Sequence, residues 1–410
     1  MKARVLSYVC GAATLFLLGL TISPAARAAA VKETRIHEFD GALDPAGLVA
    51  DSAGDLYGTT GSGGFYGWGT VFQAVPSPYG VWTESTIYSF TGGSDGGAPE
   101  AVLNLDTHGN LYGTTQDGGS GSCSCGTVFE LSPSAHGVWT ETTLYSFAGG
   151  VDGAHPDYTN LVFDAAGNLY GVTASGGAAQ SGTVFELSPQ EGGGWTESVL
   201  YAFAGGASDG ADPFGGLVFD TAGNLYGAAY EGGPSNCGDG CGGVFELSPQ
   251  ASGGWHEQMI YFFQNGNDGS TPDSLLIIDP AGNLYGMTQF GGFESCGTVF
   301  KLSPKTGGTW SKHTLHEFTG DPDGCGPFLN MVRDSVGNFY GVTEGGGSMD
   351  NGAIFQITPA GKEQTLFSFS GGNDGSDPRS LIMGPTERSF FGVTFGLGGN
   401  SSGVLFEVSK

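Results

Sequence analysis

The chain has 410 residues, 77 of them glycine, with 12% aromatic and only 13% charged side chains. The glycines lack the every-third-residue spacing of collagen, and the aromatic content is too high for a disordered chain. A formal charge of −28 disfavours nucleic acid and anionic membranes as partners, because both need basic patches.

The N-terminus reads as a signal peptide over residues 1–28. Lys2 and Arg4 precede an apolar stretch ending near Leu20, and Ala26-Arg27-Ala28 supplies a small-x-small cleavage pattern, with a cut as late as residue 30 allowed. Cleavage removes Lys2, Arg4 and Arg27 and takes the formal charge from −28 to −31. No later stretch is apolar and long enough to cross a bilayer, so an exported protein without an integral membrane segment is expected. The six cysteines beyond the leader fit disulfides in an oxidising compartment. Cys237 and Cys241 share one loop, Cys296 and Cys325 sit on neighbouring loops, and Cys123 and Cys125 are left over, where a bridge across one residue is geometrically tight.

Residues 31–410 form one repetitive domain. An Asp-x-x-Gly-Asn-Leu-Tyr-Gly phrase recurs with its aromatic at Tyr57, Tyr112, Tyr170, Tyr226, Tyr285, Tyr340 and Phe391. Gly-Thr-Val-Phe-x-Leu-Ser-Pro places its Phe at 72, 129, 185, 245, 300, 355 and 406. A third phrase, clearest as Tyr-Ser-Phe, ends at Phe39, Phe90, Phe147, Phe203, Phe263, Phe318 and Phe369. Each repeat offers four short strands joined by Gly- and Pro-rich turns, and helical periodicity is absent. Four antiparallel strands repeated seven times predict an all-β, seven-bladed β-propeller of four-stranded blades. The domain starts with a lone fourth strand, Thr34 to Phe39, and ends after a third strand, Val404 to Val408. The N-terminal strand is therefore expected to complete the last blade and close the ring.

The Gly-Asn-Leu-Tyr-Gly, Gly-Thr-Val-Phe and Asp-Gly-x-x-Pro phrases resemble the GloVer-type tandem repeats of bacterial exported proteins in the choice-of-anchor group. The resemblance implies a β-propeller-like exported protein and carries no activity with it. Members of that group often end in a sorting segment. This chain stops at Val408-Ser409-Lys410 without one, so a secreted, periplasmic or cell-surface location is expected without that anchor.

Strand alternation sorts the loops onto two faces. One carries the Asp-x-x-Gly turns and the Ser-Pro loops. The other carries the variable Gly-Gly loops and the connections between blades, including Asp-Gly-x-x-Pro with its Asp at Asp95, Asp152, Asp209, Asp268, Asp323 and Asp374, and a looser copy at Asp40. These carboxylates could ring a Ca²⁺ or polar-ligand site. Their identical local sequences favour a structural role capping each turn, so no cofactor is expected and calcium is the alternative. The tryptophans opening the outer strands are read as packing between blades. Phe65, Tyr66 and Trp68 lie in the variable loop of the first blade, have no copy elsewhere, and are the preferred binding residues for a glycan or protein.

No nucleophile elbow or phosphate loop occurs in a suitable context, and His313 and His316, three apart in a strand, should face opposite sides. Symmetry is broken most clearly at Phe65–Trp68, Cys123–Cys125 and Cys237–Cys241, which are poor in catalytic groups. The expectation is a monomeric, non-enzymatic binding or scaffold module for an extracellular glycan or protein. A polysaccharide hydrolase or lyase with its site at the channel mouth is the alternative, and a structural envelope protein the second.

Overall fold

The computed structural model describes residues 31–39, 44–234, 237–396 and 403–410. The leader expected over residues 1–28 and the loose repeat copy at Asp40 lie outside them.

The first blade shows the plan. Its strands Pro45–Ala50, Leu56–Thr60, Thr70–Pro76 and Trp82–Ser89 pair in order, antiparallel, from the inside of the ring outwards. The second strand, Leu-Tyr-Gly-Thr-Thr, is wholly buried, whereas the outer strand alternates half-buried and exposed residues. This follows from position: inner strands face neighbouring blades on both sides, while the outer strand faces water on one side. Six more sheets follow, giving a seven-bladed β-propeller. In the sixth, the innermost strand is split into Cys325–Pro327 and Val332–Arg333, both paired with Phe339–Gly345.

Ring closure matches the sequence expectation. Lys32–Glu38 is the outer strand of the seventh blade and pairs antiparallel with Val404–Ser409, from Lys32 opposite Ser409 to Glu38 opposite Val404. Chain start and chain end thus share one sheet.

Two repeated contacts hold the seams, and a third ties strands within a blade. The Phe that follows each outer strand packs edge-on against the third-strand Phe of the next blade. All seven pairs, from Phe39–Phe72 round to Phe369–Phe406, have centroids 5.0–5.2 Å apart. Such pairs add roughly 0.5–1.5 kcal/mol each beyond the area they bury. Tryptophans opening the outer strands lie against the repeat aromatic of the preceding blade, as in Trp82–Phe391, Trp139–Tyr57, Trp255–Tyr170 and Trp310–Tyr226. Within blades, buried threonine hydroxyls pair across strands two and three, for example Thr173 with Thr183 at 2.8 Å, so these hydroxyls are satisfied inside the core.

Each outer strand carries a one-residue bulge beside its third-strand Phe, and in the seventh blade the extra residue is Ile36, between Arg35 opposite Phe406 and His37 opposite Leu405. In the fifth blade Leu315 is the extra residue, so His313 and His316 oppose Lys301 and Val299, two residues apart. The expected opposite facing of these histidines rested on unbroken strand alternation, and the bulge removes that basis. The three disulfides are Cys123–Cys125, Cys237–Cys241 and Cys296–Cys325, and the last ties a loop of the fifth blade to the connection leading into the sixth.

Candidate functional site at the channel mouth

The repeated acids are engaged locally. In Asp-Gly-x-x-Pro, Asp152 accepts bonds from the Ala148 amide at 2.7 Å, the Gly150 amide at 3.2 Å and the Tyr145 hydroxyl at 3.1 Å. Asp95 is bound by Tyr88, the Thr91 amide and the Thr91 hydroxyl, and Asp209 by Tyr201 and the Ala204 amide. Tyr261 and the Gln264 amide hold Asp268, His316 and Thr319 hold Asp323, and Ser370 holds Asp374. Each carboxylate closes its own turn. Among the described residues no group of three or more His, Cys, Asp or Glu side chains is arranged to hold a metal ion. The Asp-x-x-Gly carboxylates work alike: Asp164 accepts from the Ala166 and Asn168 amides, the Asn168 side chain and Tyr170.

The residues that converge instead flank the repeat proline. The residue before each Pro adopts a left-handed backbone, with φ of 48° at Asp44, 52° at Ala98, 51° at His155, 51° at Asp212, 52° at Thr271, 67° at Gly326 and 56° at Asp377. This is unusual for non-glycine residues and for a pre-proline position. Tertiary bonds fix it: the His155 amide donates to Cys125 O at 2.8 Å while its carbonyl accepts from Ala174, and the Asp212 amide donates to Ser181 O. The proline then fits against the glycine of the preceding blade. A Cβ on Gly182 would lie 2.4 Å from Pro213, and one on Gly126 would lie 2.6 Å from Pro156. The backbone is therefore the same in every blade, while the side chains it carries differ.

After the proline come Ala46, Glu100, Asp157, Phe214, Asp273, Phe328 and Arg379, and the residue following the second-strand core is Gly61, Gln116, Ala174, Tyr230, Gln289, Glu344 or Phe395. From the later blades these side chains enclose a cavity of about 270 Å³ at the channel mouth. Its aromatic side is Tyr158 stacked on Phe214 at 5.1 Å, with Phe328 5.8 Å from Tyr158 and Tyr230 6.0 Å from Phe214. The Tyr158–Phe328 contact bridges the third and sixth blades, so aromatic rings span the channel there. The polar side holds Asp212, Asp273, Gln289 and Glu344, with Arg379 the one cation among the lining residues.

Arg379 is engaged through its two terminal nitrogens, while its buried Nε has no hydrogen-bond partner. Its guanidinium reaches Glu344 at 2.7 Å and Asp377 at 3.1 Å, and it lies over Phe328 and Phe395 at 4.9 and 5.0 Å. Asp273 is 1% exposed, and neither of its carboxylate oxygens is hydrogen-bonded by another residue. Burial, reinforced by Glu344, pushes its carboxyl far above the usual range. Asp157, buried beside Glu100 and bound by the Gln116 side chain at 2.9 Å, is pushed up to about 8. Asp212 rises to about 6 through burial and then Glu231. This corrects one sequence expectation. Non-repeated acids and an Arg do converge on the channel, in addition to the aromatic and cysteine-bearing loops.

Phe65, Tyr66 and Trp68 are exposed by 85%, 55% and 45%. Phe65 and Tyr66 stack edge-on, while Trp68 lies over the turn at Gly92 and Gly97. Larger grooves of about 490 and 760 Å³ open beside Asp220–Trp310 and Asp106–Trp195. Both are built from the repeated turn and tryptophan of neighbouring blades, which marks them as seam geometry.

Carboxyls with raised values also line the outer seams. Burial lifts Glu141, Glu197 and Glu257 to about 7, with Asp95, Asp152 and Asp209 respectively adding to the rise. In the fifth blade Lys312 occupies that position and pairs with Asp268 at 3.1 Å. A raised folded-state value means that stability is fully present below the ordinary carboxylate range and is lost as pH climbs through 6 to 8. The turn carboxylates act oppositely. Burial alone would raise Asp164 and Asp279, but their hydrogen bonds outweigh it and lower both, so their contribution is lost as pH falls below the ordinary value. The melting temperature should therefore peak near about pH 5 and fall by a few degrees towards about pH 8 in scanning calorimetry. A profile that rises between those values contradicts this assignment.

The fold and its repeated seams define a repeat β-propeller. The profile of the Gloeobacter/Verrucomicrobia repeat matches residues 21–240 and 196–406, and the chain belongs to that repeat family. No curated protein matches it in sequence. Among solved structures it is similar to a streptogramin B lyase (12% identity, 92% of this chain and 97% of that one, TM-score 0.55). It is also similar to a catalytically inactive virginiamycin B lyase from Staphylococcus aureus with quinupristin (10%, 93% and 99%, TM-score 0.57). A third likeness is to the extracellular domain of a proposed one component system from B. thetaiotaomicron (13%, 92% and 42%, TM-score 0.55). At these identities the likeness is one of fold. Among the described residues no helix is long and apolar enough to cross a membrane.

Proposed function

We propose that this is an exported, non-enzymatic propeller that binds the end of an extracellular glycan chain in the cavity at its channel mouth. The observation that carries the reading is the break in seven-fold symmetry: one backbone frame presents different side chains in each blade, and the later blades bring theirs together around one cavity. At about 270 Å³ the cavity lies near the lower end of the range for small-molecule sites, which suits a sugar unit better than the flat face of a protein. Aromatic faces beside fixed carboxylate, amide and hydroxyl groups are the chemistry that sugars engage. The leader over residues 1–28 would deliver the protein outside the cytoplasm, in keeping with three disulfides. Phe65, Tyr66 and Trp68 are proposed as an outer contact on the same loop-rich face. The turn aspartates are given a structural role, with no cofactor.

A second reading, cleavage of a polysaccharide at the same mouth, is favoured by the pairing of Asp157 with Glu100, where burial and the neighbouring acid raise the Asp157 carboxyl and favour its protonated form. A glycan array with the mature protein, run with calcium and with chelator, tests the first reading. Retention of a glycan that survives chelation is expected. Turnover of a retained polysaccharide by the purified protein would replace binding with catalysis.

A further inference from the structure

The charge balance of the mouth points to the kind of group it takes. Glu100, Asp157, Asp212, Asp273, Glu344 and Asp377 gather there, and Arg379 is already shared between Glu344 and Asp377. Asp273 is left 1% exposed on the cavity wall with both oxygens unpartnered, which is costly unless something supplies the missing charge or donors. Arg379, the one cation among the lining residues, favours the ionised form of Asp273 less than burial and Glu344 oppose it, and its ion pairs go to Glu344 and Asp377. The remaining wall is aromatic, from Tyr158, Phe214, Tyr230 and Phe328, and ring faces attract a cation and not an anion. An anionic ligand would meet like charge on every polar side except Arg379. A neutral hydroxyl would satisfy one oxygen, whereas an ammonium can donate to both and favour the ionised carboxylate that burial disfavours in the empty site.

We infer that the mouth cavity holds a cationic group, an ammonium, seated between Asp273 and Asp212 against the aromatic wall. The inference rests on the glycan reading and narrows it to glycans with free amino groups, as in de-N-acetylated amino sugars. The ammonium donates to the carboxylate oxygens of Asp273, and its carbon skeleton covers the rings.

Titration calorimetry with three probes separates the possibilities: a chitosan tetrasaccharide, the fully N-acetylated tetrasaccharide of the same length, and 1,5-diaminopentane. The wild-type protein should bind the chitosan tetrasaccharide at least tenfold more tightly than the acetylated one. Asp273→Asn, which keeps the shape and removes the charge, should weaken that binding about 10- to 100-fold. Its melting temperature should hold, because burial already keeps the Asp273 carboxyl from ionising in the empty site, so loss of binding cannot come from unfolding. Asp212→Asn should weaken the same probe, giving a second variant on the same site. Equal or tighter binding of the acetylated tetrasaccharide would overturn the charge inference and leave the glycan reading standing. Binding of the diamine alone, lost in Asp273→Asn, would uphold the charge inference and end the glycan reading. Failure of all three probes would overturn the inference and remove the support for the reading.

Discussion

Deleting residues 31–38 is expected to abolish the soluble folded monomer. Among the described residues, Lys32–Glu38 is the only partner on the outer side of Val404–Ser409. Without it a whole edge of unpaired amides and carbonyls opens in the seventh blade, the kind of edge that templates aggregation. The loss is not confined to hydrogen bonds. Val31 packs on a cluster with Phe390, Phe406 and Val408, and Ile36 on one with Phe39, Phe72 and Phe391, so both seams of the last blade lose apolar cover. Phe39, whose ring sits 5.0 Å from Phe72, would lose the strand that anchors it. Size-exclusion chromatography should show aggregate, and a synthetic peptide of residues 31–39 added during refolding should recover monomer by adding back the strand. A deleted protein that stays monomeric and melts within about 2 °C of the parent would contradict the closure mechanism.

The second large effect concerns the middle of each blade. Gly171 lies in the buried second strand, and a Cβ there would come within 2.6 Å of Phe185 Cζ. The same approach recurs between Gly58 and Phe72, Gly113 and Phe129, Gly227 and Phe245, Gly286 and Phe300, Gly341 and Phe355, and Gly392 and Phe406. The ring of Phe185 is fully buried and packs against Phe147 at 5.2 Å, which limits its room to retreat. Gly171→Ala should therefore destabilise by about 1–3 kcal/mol through overpacking. Phe185→Ala should cost about 3–5 kcal/mol, because it leaves a cavity and empties the seam with the second blade. The pair should couple. Shortening the ring in Phe185→Leu makes space for the new methyl group, so the double variant Gly171→Ala/Phe185→Leu should cost less than the two single changes together. Strict additivity in denaturant titrations would show that glycine is there for another reason.

These two results test the part of the molecule that its repeats made legible. Leu-Tyr-Gly, Gly-Thr-Val-Phe and Tyr-Ser-Phe recur because they form the blade core and the Phe–Phe seams, and a residue needed seven times is visible seven times. Cys237 with Cys241 and Cys296 with Cys325 could be read as pairs for a different reason, the assignment of their loops to one face, while Cys123 and Cys125 were left over with one residue between them. The channel mouth was not legible in that way. Glu100, Asp157, Phe214, Asp273, Phe328 and Arg379 share one register, directly after the repeat proline, but agree in nothing chemically. A search for repetition passes over such positions. The signal that marks them is disagreement at a fixed place within an otherwise constant frame. The bulge at Leu315 was also hidden, since a residue inserted in every outer strand leaves the repeat length unchanged.

The proposed site makes the mouth, and not the exposed aromatic loop, the source of binding energy. The most direct test is equilibrium binding of an array-selected glycan to three proteins side by side: the parent, Tyr230→Ala at the mouth, and Phe65→Ala in the loop of the first blade. The account predicts at least a tenfold loss for Tyr230→Ala and no more than about a threefold loss for Phe65→Ala. Unchanged affinity in Tyr230→Ala together with lost binding in Phe65→Ala would contradict it and move the site to the loop.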